Sequence, residues 1–426
     1  MNQTLETFEL ENGLRVTLAP DITVPAVSVN LWYRVGSANE PPGRTGFAHL
    51  FEHMLFQGSG NVGANEHFEL IQRAGGTLNG STWLDRTNYY ETVPANYLEL
   101  ALWLEADRMG NLLPAMTQLK LDTQRDVVKN ERRWSVDNQP YGTWWERLPA
   151  LAYPPSHPFH HSLIGSFEDL DAATLDDVSA FFALHYTPDN AVLTVVGDFE
   201  LERARELVRR HFGSIPRAVV RPPLPVMDLP ALPADRAREV VSDEVASARA
   251  FIAFRVPPFG TGEAVTAAVC AAMFGSRKAS ILHRTLVRDA RIATEVRAFT
   301  FDLPSAADLF VIDVTAHPGI SATVIETTIA KELEAIVSRG VQSKDVARAI
   351  AVAENEYVLG LEPLEGRADT FSKFASYLGD PRLALSYADR LREVTADRLH
   401  GFVKTYLRPE HQVSLVYVPR EALGAE

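Results

Sequence analysis

His49, Glu52 and His53 stand within the five-residue text His49-Leu50-Phe51-Glu52-His53. Two imidazoles and a carboxylate at that spacing can do metal chemistry if the segment is helical. At 3.6 residues per turn, His49 and His53 stack on one face and offer two nitrogens to one ion, with Glu52 beside them. Helicity is predicted by Phe47, Leu50, Phe51, Met54 and Leu55, which recur at three- and four-residue steps and give the segment an apolar face. Gly58 and Gly60 are expected to stop it. Two histidines leave the coordination incomplete, since a catalytic zinc takes three protein ligands plus a water. A third ligand has to come from elsewhere in the chain. On this pattern alone, two histidines standing by accident on an amphipathic helix explain the spacing equally well.

The order His-x-x-Glu-His reverses the commoner His-Glu-x-x-His and is the inverzincin signature. Glu52, close to the metal but not on it, is placed to take a proton from the attacking water and pass it to a leaving amine, which is the chemistry of peptide hydrolysis. Downstream, within 124–134, Val127, Val128 and Glu131 are read as one helical face with Glu131 as its inward carboxylate. Glu105, Asp107 and Asp126 compete with it for the role of third ligand.

His49-Leu50-Phe51-Glu52-His53 followed by Asn130-Glu131-Arg132 resembles the pitrilysin and mitochondrial-processing-peptidase (M16) family of zinc metallopeptidases. There the third ligand is a Glu roughly seventy-five to eighty residues past the second histidine, and Glu131 lies seventy-eight past His53. The texts 75–82 (GGTLNGST), 85–90 (DRTNYY) and 103–109 (WLEADRM) are similar to that family as well. The resemblance implies one Zn2+ per chain on His49, His53 and Glu131, with Glu52 as general base. It further implies that Phe56 lines the substrate pocket, and that Asn79 and Gly80 lie on an exposed sheet edge to which an extended peptide substrate adds as a strand. Read without it, Phe56 is a packing residue and Asn79-Gly80 is turn text.

Two positions depart from the family pattern. Gln124 stands where many relatives have a Glu supporting the metal site. In the half of the family fold that faces the metal, an Arg and, seven residues on, a Tyr hold the substrate carbonyl. Arg288 matches the Arg, but the Tyr position falls on Glu295, or on Thr294 if one residue is deleted. The resemblance therefore implies a heterodimer with a second, homologous subunit that supplies the Arg/Tyr pair, against a homodimer in which some other residue of this chain serves the carbonyl. A catalytically silent structural or assembly subunit of the same fold is the alternative.

The chain has 426 residues, 46% of them hydrophobic, enough for two or three domains with separate cores. Strands are predicted over 6–19 around Asn12-Gly13 and over 26–35, helices over 67–74, 98–109 and 175–184, a strand at 191–196 and a helix at 200–212. Prolines 216, 222, 223, 225, 230 and 233 mark a linker, followed by a strand at 248–256, helices at 263–274 and 280–287, strands near 298 and 310–315, and further helices. Asp177, Phe182 and Tyr186 recur as Asp397, Phe402 and Tyr406 at a constant offset of 220, each set followed by a proline and a strand. This repeat predicts two similar halves, and the resemblance implies an α+β protein of two homologous domains, each a mainly antiparallel sheet with helices packed on one side. The domains are placed at 1–215, carrying the metal motif, and 236–426, without it, joined by a Pro-rich linker at 216–235.

Forty-one basic against 55 acidic residues give a net charge of −14, which argues against a nucleic-acid partner. No apolar run is long enough to span a membrane, the N-terminal text lacks a signal-peptide pattern, and a cytoplasmic location is expected. The lone Cys270 is read as a small buried hydrophobe. Gly58-Ser59-Gly60-Asn61-Val62-Gly63 matches G-x-G-x-x-G but follows a helix and opens no βαβ unit, so it is not a nucleotide site. His157, His160 and His161 read as loop histidines.

Overall fold

The structure is a computed structural model that describes residues 4–220, 222–223, 225–229 and 237–420. The alternating N-terminal text forms β1 (Glu6–Glu9), β2 (Arg15–Pro20) and β3 (Ala26–Tyr33). α1 (Phe47–Met54) buries Phe47, Leu50, Phe51 and Met54, as the spacing predicts, but it ends a turn ahead of Gly58. Gly46 enters this helix at φ +83°, a left-handed conformation glycine takes without strain. Having no hydroxyl to offer the first turn, it leaves that role to Glu40, whose carboxylate accepts from the Gly46 and Ala48 N–H groups at 3.0 and 2.7 Å. There follow α2 (Glu66–Arg73), β4 (Thr77–Thr82), β5 (Thr87–Pro94), α3 (Leu98–Asn111) and α4 (Gln118–Arg132). The buried row of α4 is Leu121, Gln124 and Val128, at steps of three and four that continue to Glu131. Val127 was expected on that row. It is 41% exposed, because one residue is a rotation of 100° about the axis.

The chain continues with α5 (Trp144–Ala152), α6 (Phe167–Asp171), α7 (Leu175–His185), β6 (Ala191–Gly197) and α8 (Leu201–Phe212). Of the linker at 216–235, Arg221, Leu224 and 230–235 lie outside the described residues. The second half comprises β7 (Ala237–Asp243), β8 (Arg249–Val256), α9 (Gly262–Phe274), β9 (Ala293–Thr300), β10 (Asp308–Ala316), α10 (Ala322–Arg339), α11 (Ser343–Gly360), α12 (Leu364–Leu378), α13 (Tyr387–Arg392), α14 (Ala396–Tyr406) and β11 (Gln412–Pro419). None of the described helices is long and apolar enough to cross a membrane.

The strands form two mostly antiparallel sheets, ordered β1-β2-β6-β3-β5-β4 and β7-β11-β8-β10-β9, so the α+β expectation holds. β6 runs parallel to β2 and antiparallel to β3, and β11 runs parallel to β7 and antiparallel to β8. The sequence repeat therefore marks equivalent places in two sheets of one topology. The helices that carry it, α7 and α14, are both capped by a threonine, Thr174 and Thr395, accepting from a first-turn N–H.

The chain makes two compact units, neither continuous in sequence: 1–132, 162–225 and 359–386 form one, and 133–161, 226–358 and 387–426 the other. They differ from the ranges 1–215 and 236–426 because each half of the sequence lends a helical segment to the other unit. In the first unit α12 lies on β3 and β6, where Tyr377 meets Trp32 edge-on at 5.8 Å and Ser372 Oγ is 2.8 Å from Thr194 Oγ1. In the second, Trp144 of α5 stacks on Phe251 at 4.7 Å. Helices thus cover one face of each sheet, as expected, and a single exchanged helix covers part of the other. β6, buried along its whole length, accordingly reads as a continuous apolar run instead of an alternation. Cys270 is buried in the core of the second unit, among the apolar residues of α9, α10 and α14.

Candidate metal centre

α1 and α4 pack against each other in the first unit and bring three side chains together. His49 Nε2 lies 3.6 Å from one carboxylate oxygen of Glu131, and His53 Nε2 lies 3.2 Å from the other. The two imidazoles, one helical turn apart, meet edge to face with centroids 4.9 Å apart. One donor atom from each of the three residues lies within 4.8 Å of the others. Two ligands each about 2.0–2.1 Å from a tetrahedral ion stand roughly 3.4 Å apart, and the two His–Glu separations bracket that value. A His2Glu donor set of this size fits zinc.

The electrostatics suit a cation. Burial, reinforced by the neighbouring His53, lowers the His49 pKa to about 4, against the pull of Glu131, so this imidazole is a neutral donor at pH 7. The His53 hydrogen bond holds the Glu131 carboxyl below its ordinary value. Glu52 moves the other way: burial raises its pKa, opposed by a hydrogen bond from Thr82 Oγ1 to Glu52 Oε2 at 2.7 Å. That hydroxyl stabilises the charged carboxylate. Thr82→Val removes it, so the Glu52 pKa rises further, and the acid limb of the kcat/KM profile is expected to move to higher pH with about a tenfold loss of rate at pH 6. An unmoved limb in a pH titration of peptide hydrolysis would remove Thr82 from the site.

Thr82 belongs to β4, which is an edge strand, as expected for the Asn79-Gly80 segment. Gly80 lies against Glu52: a Cβ there would sit 3.0 Å from Glu52 Cγ and 3.2 Å from both Glu52 Oε1 and Phe56 Cε2. Only a residue without a side chain leaves this approach open. Asn79 is exposed, and its Oδ1 accepts from the Gly80 N–H at 2.9 Å. Phe56 is largely buried, with its ring against Phe68, Tyr89 and His67 and the Arg108 guanidinium 5.1 Å from its centroid. Gln124 is buried on the inner face of α4, two turns before Glu131. His157 is buried, its ring stacked on Tyr153 at 4.8 Å, and His160 Nδ1 lies 2.8 Å from the Tyr153 carbonyl.

The competing carboxylates are occupied or remote. Asp107 accepts from Ser59, Asn61 and Asn111, Asp126 is exposed, and Glu105 is paired with Arg108. Sequence reasoning missed the buried group around that pair, His67, Glu91 and Glu105, whose donor atoms also come within 4.8 Å of one another. Arg108 stands beside both carboxylates, 3.7 Å from Glu91 Oε1, and supplies the positive charge that a metal would bring. The Glu105-x-x-Arg108 spacing on one helix was the available signal.

Two sheets of one topology, and His49, His53 and Glu131 brought together beside Glu52, agree with the resemblance that the sequence carries. The family description "Insulinase (Peptidase family M16)" matches residues 15–155, and "Peptidase M16 inactive domain" matches residues 172–352. The chain is 30% identical to the "Zinc protease PqqE" of Helicobacter pylori over 88% of its own length and 83% of that protein. A "Probable mitochondrial-processing peptidase subunit beta, mitochondrial" of Arabidopsis thaliana is 26% identical over 63% of this chain and 50% of its own. A solved protease from Helicobacter pylori superposes with a TM-score of 0.91, at 28% identity, over 98% of this chain and all of that one. The chain belongs to peptidase family M16.

Proposed function

We propose that this chain is a zinc-dependent endopeptidase or oligopeptidase that cleaves extended peptides. The observation that carries the reading is the convergence of His49, His53 and Glu131 beside a partly buried Glu52 held against an edge strand. A peptide laid along β4 would gain main-chain hydrogen bonds regardless of its sequence, which makes selectivity loose. Zinc, when bound, supplies a Lewis acid that polarises the scissile carbonyl and lowers the pKa of water. Glu52 Oε1 takes the proton from the attacking water as the new carbon–oxygen bond forms, and returns it to the amide nitrogen as the carbon–nitrogen bond breaks. Its raised pKa brings that exchange closer to neutral pH.

We assign the missing Arg/Tyr pair to a second homologous subunit. In this chain Arg288 is paired with its own neighbour Asp289 at 2.6 and 3.0 Å, Glu295 with Arg297, and Thr294 Oγ1 with the Thr315 carbonyl at 3.2 Å. Neither register offers a phenol to a developing oxyanion. Purified and zinc-loaded, the chain alone should hydrolyse a quenched peptide poorly and gain at least about tenfold on addition of the partner subunit. Full activity from the isolated chain would sink the two-subunit reading, and absence of stoichiometric zinc would leave a silent structural subunit of the same fold. The single, buried Cys270 fits a reducing compartment, and we place the chain in the cytoplasm.

A further inference from the structure

Glu131 and His53 stand seventy-eight residues apart in the chain, so the 3.2 and 3.6 Å separations at the metal centre depend on how α1 and α4 are held together. A working site needs its side chains fixed to within about 0.5 Å by contacts beyond the ligands themselves. The two helices pack on each other directly. One further segment of the first unit touches α4 and the entry to α1 at once: the stretch 164–173, which contains α6. Its contacts with α4 come from Arg125, Lys129 and Arg132, which lie at steps of four and three and share a face. Each follows by one residue a member of the inward row Gln124, Val128 and Glu131. Arg125 Nε and Nη2 donate to the Leu170 and Ala173 carbonyls at 2.8 and 2.7 Å, at the C-terminal end of α6. Arg132 Nη1 donates to the Gly165 carbonyl at 2.8 Å. Lys129 Nζ lies 2.8 Å from Asp171 Oδ1, an exposed pair that contributes least.

The same segment holds Thr45, two residues before α1 begins. Asp169 Oδ2 accepts from the Thr45 N–H at 3.0 Å and from Thr45 Oγ1 at 2.5 Å, and Thr45 Oγ1 accepts in turn from the Ser166 N–H at 3.1 Å. Beside these bonds the two backbones touch. A Cβ on Gly165 would lie 2.3 Å from the Thr45 carbonyl oxygen and 2.5 Å from Gly46 Cα, and one on Gly46 would lie 2.5 Å from the Ile164 carbonyl oxygen. Gly46 opens α1, and His49 follows three residues later. Within α6, therefore, Asp169 reaches toward α1 while its neighbours Leu170 and Asp171 reach α4. Both metal-bearing helices are tied to one short piece of chain.

We propose that α6 and the turn before it form a bracket that sets the separation of α1 and α4, with Asp169 and Arg125 as positioning residues of the metal centre. Neither side chain is a ligand. The inference rests on the reading of His49, His53 and Glu131 as that centre. Binding an ion between helices already held in place costs less ordering than binding between helices that must first be brought together. The bracket therefore acts on zinc affinity first, and on hydrolysis only through it.

The test measures the zinc affinity of the full-length protein by competition with a chromophoric chelator, in wild type, Asp169→Ala, Arg125→Met and the double variant. Each single change should weaken zinc binding about tenfold, the lower end of what a supporting residue contributes. Because the two contacts act in series, the loss in the double variant should fall well short of the product of the single losses. Asn12→Ala controls for stability alone: Asn12 holds the Phe212 and Ile215 carbonyls beside the turn between β1 and β2, at the sheet edge opposite β4, and its loss should leave zinc affinity unchanged. A second readout needs neither zinc nor the double variant. In metal-free protein, Arg125→Met should speed amide exchange over Phe47–Phe51 of α1, to which Arg125 donates no hydrogen bond among the described residues. Unchanged affinity in either single variant, unchanged exchange in α1, single losses that multiply in full, or an equal loss in Asn12→Ala overturns the bracket. Tight zinc on wild type with unmoved variants sinks the bracket alone, whereas no zinc on wild type sinks the metal reading and the positioning role with it.

Discussion

Glu52→Gln is expected to hold zinc at wild-type stoichiometry while peptide hydrolysis falls by about 10²- to 10⁴-fold, the usual contribution of a positioned acid–base group. The substitution keeps the size and shape of the side chain. Its amide oxygen can still accept from Thr82 Oγ1, which lies 2.7 Å from Glu52 Oε2, so the side chain is held where it was. What it loses is the ability to carry a proton. None of the three ligands is touched: His49, His53 and Glu131 converge on each other without using Glu52. Metal analysis and a quenched-peptide assay on one preparation give both readouts. Turnover near the wild-type rate would show that some other group moves the proton.

The ease of reading this site from sequence follows from how local each feature is. His49, Glu52 and His53 were legible because helical periodicity fixes which residues share a face, and the apolar spacing of Phe47, Leu50, Phe51 and Met54 sets that period independently. Glu131 was legible through the resemblance, since no local spacing links α4 to α1. Even there the face was read one residue out of register at Val127, because adjacent valines fit two rotations of a helix equally well. Thr82 and Glu40 were not legible. Each meets α1 from a separate element, as a hydroxyl on an edge strand and a carboxylate in a loop, and such partners leave no periodic trace. The exchanged helices were hidden for a related reason. α12 and α5 are amphipathic text that fits the core of either half, and only tertiary packing decides which sheet each one covers. The sheet topology was half legible: the repeat at 177–186 and 397–406 announced two similar halves, while β7, lying just past a run of prolines and between the linker and the strand predicted at 248–256, was not predicted as a strand.

Glu131→Ala is expected to lose bound metal together with activity, with zinc affinity falling by more than the roughly 10- to 100-fold that follows removal of an outer-shell partner. A methyl group cannot ligate, and two histidines from one helix leave the ion half coordinated. The fold should survive, because Glu131 is partly exposed near the C-terminal end of α4 and the apolar anchors Leu121 and Val128 stay in place. An unchanged circular-dichroism melt of the metal-free protein checks that. The three rival carboxylates serve as controls with distinct expectations. Asp126, exposed on the outer side of α4, should keep full metal when changed to Ala. Asp107, tied to Ser59, Asn61 and Asn111, should lose stability before it loses metal. Glu105→Ala leaves the Arg108 guanidinium buried beside Glu91 alone, which costs about 3–5 kcal/mol of stability and leaves the metal ligands untouched. If Glu131→Ala kept stoichiometric zinc while one of these three released it, the approach of Glu131 to the histidine nitrogens at 3.2 and 3.6 Å would be an ion pair and no part of a metal site.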